Sequence, residues 1–356
     1  MKVGILLNAN IYYNPYLNIY SKILDELKIS YDILAWDRAN IGEKGAAIYK
    51  RKYPYGTGEK IRWFINHYSY SRFLNTQINK NQYDRLVIFG PQVGLFLYFI
   101  LKARYSKHFC FDFRDIFIEQ LFPKLFKRFL KISSLNVISS SGFISYLPKG
   151  FEYTLCHNLD IDILNDRINK IPVTHGYFKL PIKVITIGTL RHYQQNYQIM
   201  SALANNPNFL IKFIGSPAKE CLKLQQDAIK NQFSNVEFMG FYHKKDEFSL
   251  LEDADFINIF FPTDIAGVTA MSNRFYNAIL FKKPIIATKG TIQGMYVEKY
   301  NLGLVLENCA NLENQIKEFV LNFNQAEFNQ NCDKLLVEFR NDYQIFKEKF
   351  IEFLTN

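Results

Sequence analysis

Residues 272–287, SNRFYNAILFKKPIIA, follow the apolar run at 256–261 and read as a polar loop, a short helix and a buried strand. Asn273 and Arg274 fall where the helix begins, so its unpaired backbone N–H groups and dipole favour an anion there. The planar guanidinium of Arg274 adds donors that suit phosphate oxygens. An ordinary strand–helix–strand unit with a polar first turn remains an open alternative for this segment taken alone.

The same alternation of strand and helix recurs along the whole chain. In the first half we predict strands at 2–7, 31–36, 85–89, 108–112, 135–139 and 152–156, and in the second half at 183–187, 210–214, 236–239, 256–260, 284–287 and 303–306. Strands separated by helix-length segments predict an α/β fold of two doubly wound, Rossmann-like parallel-sheet domains. A length of 356 residues also exceeds what one core usually holds.

Helical periodicity fills the intervals between these strands. We predict helices near 16–28, 61–79, 93–103, 116–131, 141–147, 194–205, 246–252 and 273–282, with charged helical sequence at 311–354. Another helix is expected to begin with Ser216 as N-cap and Pro217 at its first position, and to run to about 231.

Segment composition places the domain boundary near 165. We expect domains at 1–165 and 166–340, a linker at 165–181, and a C-terminal helix at about 341–356 that is free to pack back on the first domain. The carboxyl ends of the two sheets are then expected to face a cleft, because ligands of open α/β sheets bind at those ends.

Cysteine usage and hydropathy indicate a cytosolic protein. The five cysteines are odd in number, widely spaced and without a C-x-x-C pair, which predicts neither a disulfide framework nor a zinc site. The first strand is too short for a signal peptide. The longest uncharged stretch, 86–101, is shorter than a membrane span and is interrupted by Gly90-Pro91-Gln92.

The net charge of +10 is unevenly distributed. Residues 1–150 contain 22 Lys and Arg against 10 Asp and Glu, whereas residues 151–356 contain 21 against 23. A basic first half predicts an anionic partner, such as an acidic membrane face or a phosphate-bearing acceptor. A merely solvated basic surface is the alternative.

Five motifs in the second half occur in a recognisable order. They are Gly188-Thr189-Leu190-Arg191, Gly215-Ser216-Pro217, the V-x-F-x-G pattern of 236–240, Asp253-Ala254-Asp255-Phe256, and 273–287. This half resembles the nucleotide-sugar-binding domain of GT-B glycosyltransferases, close to family 4 and its bacterial capsular polysaccharide and O-antigen relatives.

The resemblance implies a binding site for a nucleotide sugar, and we expect a UDP-sugar. The implied donor-binding residues are Gly188, Arg191, Gly215, Tyr242, Asp264, Ser272, Asn273, Arg274 and Asn277. Cationic side chains and helix N-termini replace a metal in such relatives, and no DxD motif is present, so we expect no metal and no other cofactor. We expect Arg274 to face the ligand and to support no core.

One departure from family 4 concerns two glutamates eight positions apart that contact the donor sugar and the ribose. The corresponding residues here are Thr269 and Asn277. Asn277 can hydrogen-bond a ribose as a neutral group, and Asp264 is a candidate substitute at the sugar.

The first half resembles the same relatives through YDILAWDR at 31–38, FDFRD at 111–115, and the S-x-G, L-P and H-N motifs between 139 and 158. Its strand ends supply the acceptor-binding candidates Asn10, Trp36 and Arg38 and the catalytic candidates Asp112, Arg114 and Asp115. We expect Asp112 to be the better general base and Asp115 to cap a helix. A structural Asp112–Arg114 pair is the alternative.

Two basic segments are candidates for contact with the acceptor or a membrane. Residues 121–132, LFPKLFKRFLKI, place apolar side chains on one helical face and four basic ones on the other, which fits either an anionic membrane interface or a core-packed helix. The second segment combines Lys44, Lys50, Arg51, Lys52, Lys60 and Arg62 with Tyr49, Tyr53, Tyr55 and Trp63.

The resemblance, together with the basic first half, implies a hexosyltransferase that extends a growing, lipid-linked bacterial surface polysaccharide. Its partners would be a nucleotide-sugar donor, a glycan or lipid-linked oligosaccharide acceptor and an anionic membrane surface, and not a nucleic acid. Its location would be the cytoplasm, peripheral to the inner face of the plasma membrane. The alternatives are a nucleotide-sugar 2-epimerase on the same fold and a non-catalytic glycan-binding protein.

Overall fold

The computed structural model describes residues 1–45, 47–50, 60–168 and 178–356, without the side chains at 60, 61 and 244. The predictions that involve Arg51, Lys52, Tyr53, Tyr55 and the linker portion 169–177 lie outside these ranges. The chain divides into two compact units, Met1–Ile161 with Asn341–Asn356, and Asp162–Arg340.

Each unit is built on one parallel sheet. The strands are β1 (Lys2–Leu6), β2 (Ser30–Trp36), β3 (Ala47–Tyr49), β4 (Arg85–Phe89), β5 (Phe109–Phe113), β6 (Leu135–Ile138), β7 (Thr154–Leu155), β8 (Ile182–Ile187), β9 (Phe209–Ile214), β10 (Val236–Gly240), β11 (Phe256–Ile259), β12 (Ile285–Thr288) and β13 (Gly303–Leu306). Their spatial orders are β3-β2-β1-β4-β5-β6-β7 and β10-β9-β8-β11-β12-β13. Two doubly wound Rossmann-like sheets confirm the predicted fold class.

Helices connect successive strands. They are α1 (Leu17–Glu26), α2 (Lys60–Asn81), α3 (Pro91–Phe96), α4 (Tyr98–Arg104), α5 (Pro123–Ile132), α6 (Ile161–Arg167), α7 (Tyr193–Leu203), α8 (Leu224–Lys230), α9 (Glu247–Glu252), α10 (Ile265–Thr269), α11 (Asn273–Leu280), α12 (Ile292–Lys299), α13 (Leu312–Leu321) and α14 (Gln325–Thr355). None of the helices in the described ranges is both long and apolar enough to span a membrane.

The core of the first unit lies between β1, β4, α1 and the end of α14. Tyr20 of α1 is fully buried, and its ring centroid lies 5.1 Å from that of Phe346 and 5.0 Å from that of Phe350. Burying a side chain of this size contributes about 1.5–3 kcal/mol. Phe346 and Phe350 are four positions apart, so they lie on one face of α14 and hold its last turns in the first unit.

Several local predictions were wrong. Ser216 and Pro217 do not begin a helix: Pro217 forms a β-bridge with Leu190, and α8 starts only at Leu224. The predicted helix at 93–103 is two helices, α3 and α4. The predicted linker begins inside α6.

Candidate functional site

The most concentrated set of candidate ligand groups lies at the carboxyl ends of β8 and β9. β8 is flanked by β9 on one side and β11 on the other, so the direction of strand connection reverses there, and such reversal points are where open α/β sheets bind ligands. Gly188 and Gly215 follow β8 and β9 with φ angles of 97° and 133°. A Cβ on Gly215 would lie 1.9 Å from the Gly188 carbonyl oxygen, so this close approach requires glycine.

Arg274, the second residue of α11, reaches the end of β8. Its Nε donates to the Ile187 carbonyl, and its Nη2 donates to the Thr189 carbonyl at 2.8 Å. The side chain is only 9% exposed, and its guanidinium lies 5.7 Å from the Phe261 ring centroid. The expectation that Arg274 supports no part of the fold was therefore wrong, because it ties the loop after β8 to the start of α11.

The positive charge of Arg274 is not neutralised by an ion pair with any described carboxylate. Burial lowers the pKa of Arg274 to about 10, and the guanidinium of Arg191 acts in the same direction. Arg191 is exposed, and its side chain has no hydrogen bond or ion pair within the described residues. Burial also lowers the pKa of His192, with Arg274 as the next contribution in that direction. Two neighbouring arginines that lack a counter-ion among the described residues favour a bound anion.

The start of α11 supplies backbone donors beside these arginines. Ser272 is the N-cap, and its Oγ accepts from the Phe275 N–H at 3.3 Å. Gln293 accepts from both the backbone N–H and the Oγ of Ser272, at 3.1 and 2.6 Å. Gln293 is fully buried, and its Nε2 has no hydrogen-bond partner among the described residues. The sequence analysis missed Gln293, because its link to Ser272 spans 21 positions and leaves no local pattern.

The other donor candidates belong to the segments that follow β10 and β11. Tyr242 donates to Glu247 at 2.7 Å. It also interacts electrostatically with Arg274, in the direction that raises the pKa of that guanidinium. Asp264 is exposed and caps α10 by accepting from the Gly267 N–H at 2.7 Å. Thr269 is buried and donates to the Ile265 carbonyl, whereas Asn277 is half-buried on α11. Asp264 therefore stabilises the start of α10, whether or not it also contacts a sugar.

The catalytic candidates of the first unit are placed differently from expectation. Asp112 is fully buried, and its carboxylate accepts from Arg114 Nε at 2.9 Å, Arg114 Nη2 at 2.8 Å and Tyr20 Oη at 2.5 Å. Burial disfavours the charge of Arg114, but the combined interactions with Asp112, Cys156 and Tyr20 outweigh burial and raise the pKa of Arg114. A base must reach its proton, so this geometry contradicts Asp112 as a base and favours the structural pair.

Asp115 does not cap a helix. The next element is a 3₁₀ helix at Ile118–Leu121, whose N-cap is Phe117. Asp115 is exposed and interacts electrostatically with Tyr16 and Glu119. Of the two aspartates, Asp115 is therefore the exposed one and Asp112 the buried one.

The acceptor candidates are largely internal. Trp36 is fully buried and packs on Tyr70 with ring centroids 5.1 Å apart. Asn10 is also fully buried, and its amide donates to Asp37 at 2.7 Å and accepts from the Ala39 N–H at 3.0 Å. Arg38 is half-buried, with its guanidinium 5.3 Å from the Trp36 ring. Direct contact of Trp36 or Asn10 with an acceptor was therefore a wrong expectation, because both side chains are enclosed by protein.

The reversal point of the first sheet, between β1 and β4, contains residues that the sequence analysis missed. Gly90 follows β4 with a φ of 82°, and a Cβ there would lie 2.9 Å from Gln92 Oε1 and 3.0 Å from Asn8 Nδ2. Gln92 is buried, and its Oε1 has no hydrogen-bond partner in the part of the chain that the structure describes. The available signal was Gly90-Pro91-Gln92 itself, which we interpreted only as a turn.

The basic amphipathic helix is mainly a core element. The buried side chains of α5 are Phe126, Phe129 and Leu130. The ring centroid of Phe129 lies 4.9 Å from that of Phe111 in the sheet. Among the large apolar side chains of residues 121–132, only Leu121 and Phe122, which precede α5, are exposed. The core-packed alternative therefore describes this helix, because its apolar face meets the sheet.

No protein-family model matches this sequence, and no curated protein matches it. Solved structures match along the whole chain. A sucrose-phosphate synthase from Thermosynechococcus elongatus aligns with a TM-score of 0.71 at 10% identity and covers 99% of each chain. An α,α-trehalose-phosphate synthase (UDP-forming) from Burkholderia xenovorans, in complex with glucose-6-phosphate, aligns with a TM-score of 0.66 at 10% identity and covers 100% of each.

A third match is the E. coli trehalose-6-phosphate protein bound with UDP-2-fluoro glucose, with a TM-score of 0.64 at 9% identity over 99% of this chain and 98% of that chain. Likeness at this identity establishes the two-domain GT-B fold and not the activity. These matches do not single out family 4 or its capsular relatives.

Proposed function

We propose that this chain is a glycosyltransferase that transfers a hexosyl group from a UDP-sugar. The observation that carries the proposal is the position of Arg274 and Arg191 at the reversal point of the second sheet, without a described carboxylate partner. Two structural neighbours, one UDP-forming and one bound with UDP-2-fluoro glucose, support the choice of nucleotide.

The chemistry follows from the growth of negative charge on the leaving diphosphate. As the bond between the anomeric carbon and the phosphate oxygen breaks, the two arginines and the first N–H groups of α11 stabilise the charge on the β-phosphate. Arg274 is already oriented by the Ile187 and Thr189 carbonyls, so little reorganisation is needed during the reaction. The absence of a counter-ion leaves their charge available for the phosphates.

For the acceptor we propose a growing, lipid-linked surface polysaccharide, on the strength of the motifs at 31–38, 111–115 and 139–158. A sugar phosphate is the second candidate, favoured by the neighbour in complex with glucose-6-phosphate. A coupled assay of UDP release with each acceptor class, at equal donor concentration, separates them. Release stimulated only by glucose-6-phosphate would contradict the polysaccharide proposal.

The UDP-release assay, combined with NMR and calorimetry, also tests the two alternative functions. A 2-epimerase converts the donor without any acceptor, and NMR of the donor sugar detects that conversion. A non-catalytic binding protein shows donor binding by calorimetry and no UDP release with any acceptor. We expect acceptor-dependent UDP release and no epimerised donor.

For the general base we propose Asp115, because it is the exposed carboxylate after β5. Asp115→Asn is expected to lower turnover about 100-fold or more while leaving the unfolding free energy unchanged. Asp342→Asn is the control. Asp342 lies on α14, outside the segment that follows β5, and its Oδ2 lies 3.1 Å from His157 Nε2. Normal turnover of Asp115→Asn would remove Asp115 from the chemistry.

We also propose peripheral binding to an anionic membrane by the first unit, supported by the basic composition of residues 1–150 and by exposed Leu121 and Phe122. Sedimentation with vesicles should increase with anionic lipid content and weaken as salt shortens the Debye length from about 10 Å at 0.1 M. Equal binding to neutral and anionic vesicles at all salt concentrations would contradict this location.

A further inference from the structure

A cavity of about 750 Å³ opens in the first unit at the edge of the sheet where β5, β6 and β7 begin. Its lining includes Lys107 before β5, Ser134 before β6 and Thr154 at the start of β7. All strands of this sheet are parallel, so this is the edge opposite to Arg114 and the other catalytic candidates. The cavity is therefore separate from the strand ends considered above. Its volume falls in the range of small-molecule sites.

Five lysines line this cavity, against two glutamates: Lys107, Lys127, Lys131, Lys149 and Lys349, and Glu152 and Glu352. Lys349 is paired with Glu152, and Lys107 donates to the Ser133 carbonyl at 2.9 Å. No carboxylate within the described ranges pairs with Lys127, Lys131 or Lys149. An anion in the cavity would thus meet three ammonium groups that are not neutralised by the protein.

A buried amide in the cavity wall provides a second, independent observation. Asn136 of β6 is only 9% exposed, its Oδ1 is buried without a partner, and its Nδ2 has no hydrogen bond to any described group. Its neighbours Leu135 and Val137 pack in the core on one face of the sheet, so alternation places Asn136 on the face covered by α5. A buried amide oxygen without a described partner is unfavourable, and the amide as a whole offers both a donor and an acceptor to a ligand.

The chemistry of the two observations is complementary. Lysine ammonium groups bind phosphate oxygens, whereas an amide pairs with hydroxyl groups. Leu130 and Phe353 add apolar surface to the same lining, which suits the carbons of a small polyol. The ligand class that uses all three features is a phosphate ester of a polyol.

We propose that this cavity binds a glycerol phosphate group, either free or as the headgroup of an anionic lipid. The phosphate contacts Lys127, Lys131 and Lys149, and a hydroxyl pairs with Asn136. This site does not depend on the proposed donor site in the second unit, so either proposal can fail without the other.

The test compares two variants with equal changes in charge on the same unit. Lys127→Gln/Lys149→Gln removes two cavity lysines, and Lys124→Gln/Arg128→Gln removes two exposed cations of α5 that do not line the cavity. Binding of sn-glycerol 3-phosphate is measured by calorimetry, and binding to phosphatidylglycerol vesicles in a phosphatidylcholine background by sedimentation. Circular dichroism and thermal unfolding check that all variants fold.

We expect the affinity of the cavity variant for glycerol 3-phosphate (calorimetric arm), for phosphatidylglycerol vesicles (vesicle arm) or for both to fall at least tenfold. The affinity of the control variant should fall less than threefold. Loss in the calorimetric arm identifies the free ester, and loss in the vesicle arm alone identifies the lipid headgroup. Equal losses in both variants would reveal diffuse charge attraction and overturn the proposal, as would the absence of binding by the wild type in both arms.

Asn136→Leu tests the amide separately from the lysines. We expect this variant to bind inorganic phosphate as the wild type does while losing the preference for glycerol phosphate or for phosphatidylglycerol over phosphatidic acid vesicles. An unchanged preference would remove the polyol from the proposal.

Discussion

The two units carry an arginine near the end of a sheet strand in opposite electrostatic settings. In the first unit Arg114 is 8% exposed and shares two hydrogen bonds with the fully buried Asp112. In the second unit Arg274 is equally buried, but it is held by two carbonyl groups and has no described carboxylate partner. One arginine is neutralised by its own fold, and the other keeps a charge that a ligand can neutralise.

This difference shows how to distinguish a structural arginine from a ligand-binding one. A carbonyl orients a guanidinium without cancelling its charge, whereas a bidentate carboxylate does both. Removing one member of a buried ion pair leaves the other charge buried and unpaired, so the loss appears in stability. Removing an arginine without a counter-ion should affect the binding of an anion in addition to any loss of stability.

The largest expected effect is on the neutralised pair. Asp112→Asn leaves the Arg114 charge uncompensated and should lower the unfolding free energy by about 3–5 kcal/mol, measured by denaturant unfolding. Asp112→Leu/Arg114→Met removes both charges and should recover a large part of that loss. Wild-type stability of Asp112→Asn with a turnover lowered at least ~100-fold would reinstate Asp112 as the base.

The next effect concerns the arginine without a counter-ion. Arg274→Ala should lower turnover by about 30- to 1000-fold, equivalent to roughly 2–4 kcal/mol of transition-state stabilisation. It should also lower the unfolding free energy by about 1–3 kcal/mol, because the Ile187 and Thr189 carbonyls lose a donor. Steady-state kinetics and denaturant unfolding measure the two effects. Activity within threefold of the wild type would exclude Arg274 from the site.

A smaller effect is expected from His192. Burial and the neighbouring Arg274 lower its pKa, so the imidazole is neutral at pH 7 without ligand. A bound diphosphate favours the charged imidazole and therefore raises the pKa of His192. Binding is then coupled to the uptake of a proton by His192 when the pH falls below about 6.5, the pKa of an unperturbed histidine. UDP-glucose affinity should increase by about threefold between pH 7.5 and 5.5, and His192→Asn should abolish that increase. A wild type without pH dependence would contradict the proximity of His192 to the phosphates.

The sequence predicted the strands well and the environment of the aspartates poorly. β4 and β8 are short apolar runs between polar loops, so their type and bounds can be read locally. β3 was missed because three residues paired to β2 leave no periodic signal. Asp112 was misjudged because its enclosure depends on Tyr20, which lies 92 positions away. Motifs predicted the location of Arg274 at a helix start, and only the structure shows its two carbonyl partners.

The proposed binding of the donor diphosphate at the strand ends of the second unit can be measured directly. Calorimetric titration with UDP and with uridine tests it in the wild type, in Arg191→Gln and in the control Arg340→Gln on α14, since both side chains are exposed and have no described ion pair. We predict that Arg191→Gln weakens UDP binding about tenfold, or 1.4 kcal/mol, and leaves uridine binding and unfolding unchanged. Equal UDP affinity in the wild type and both variants would contradict the proposal.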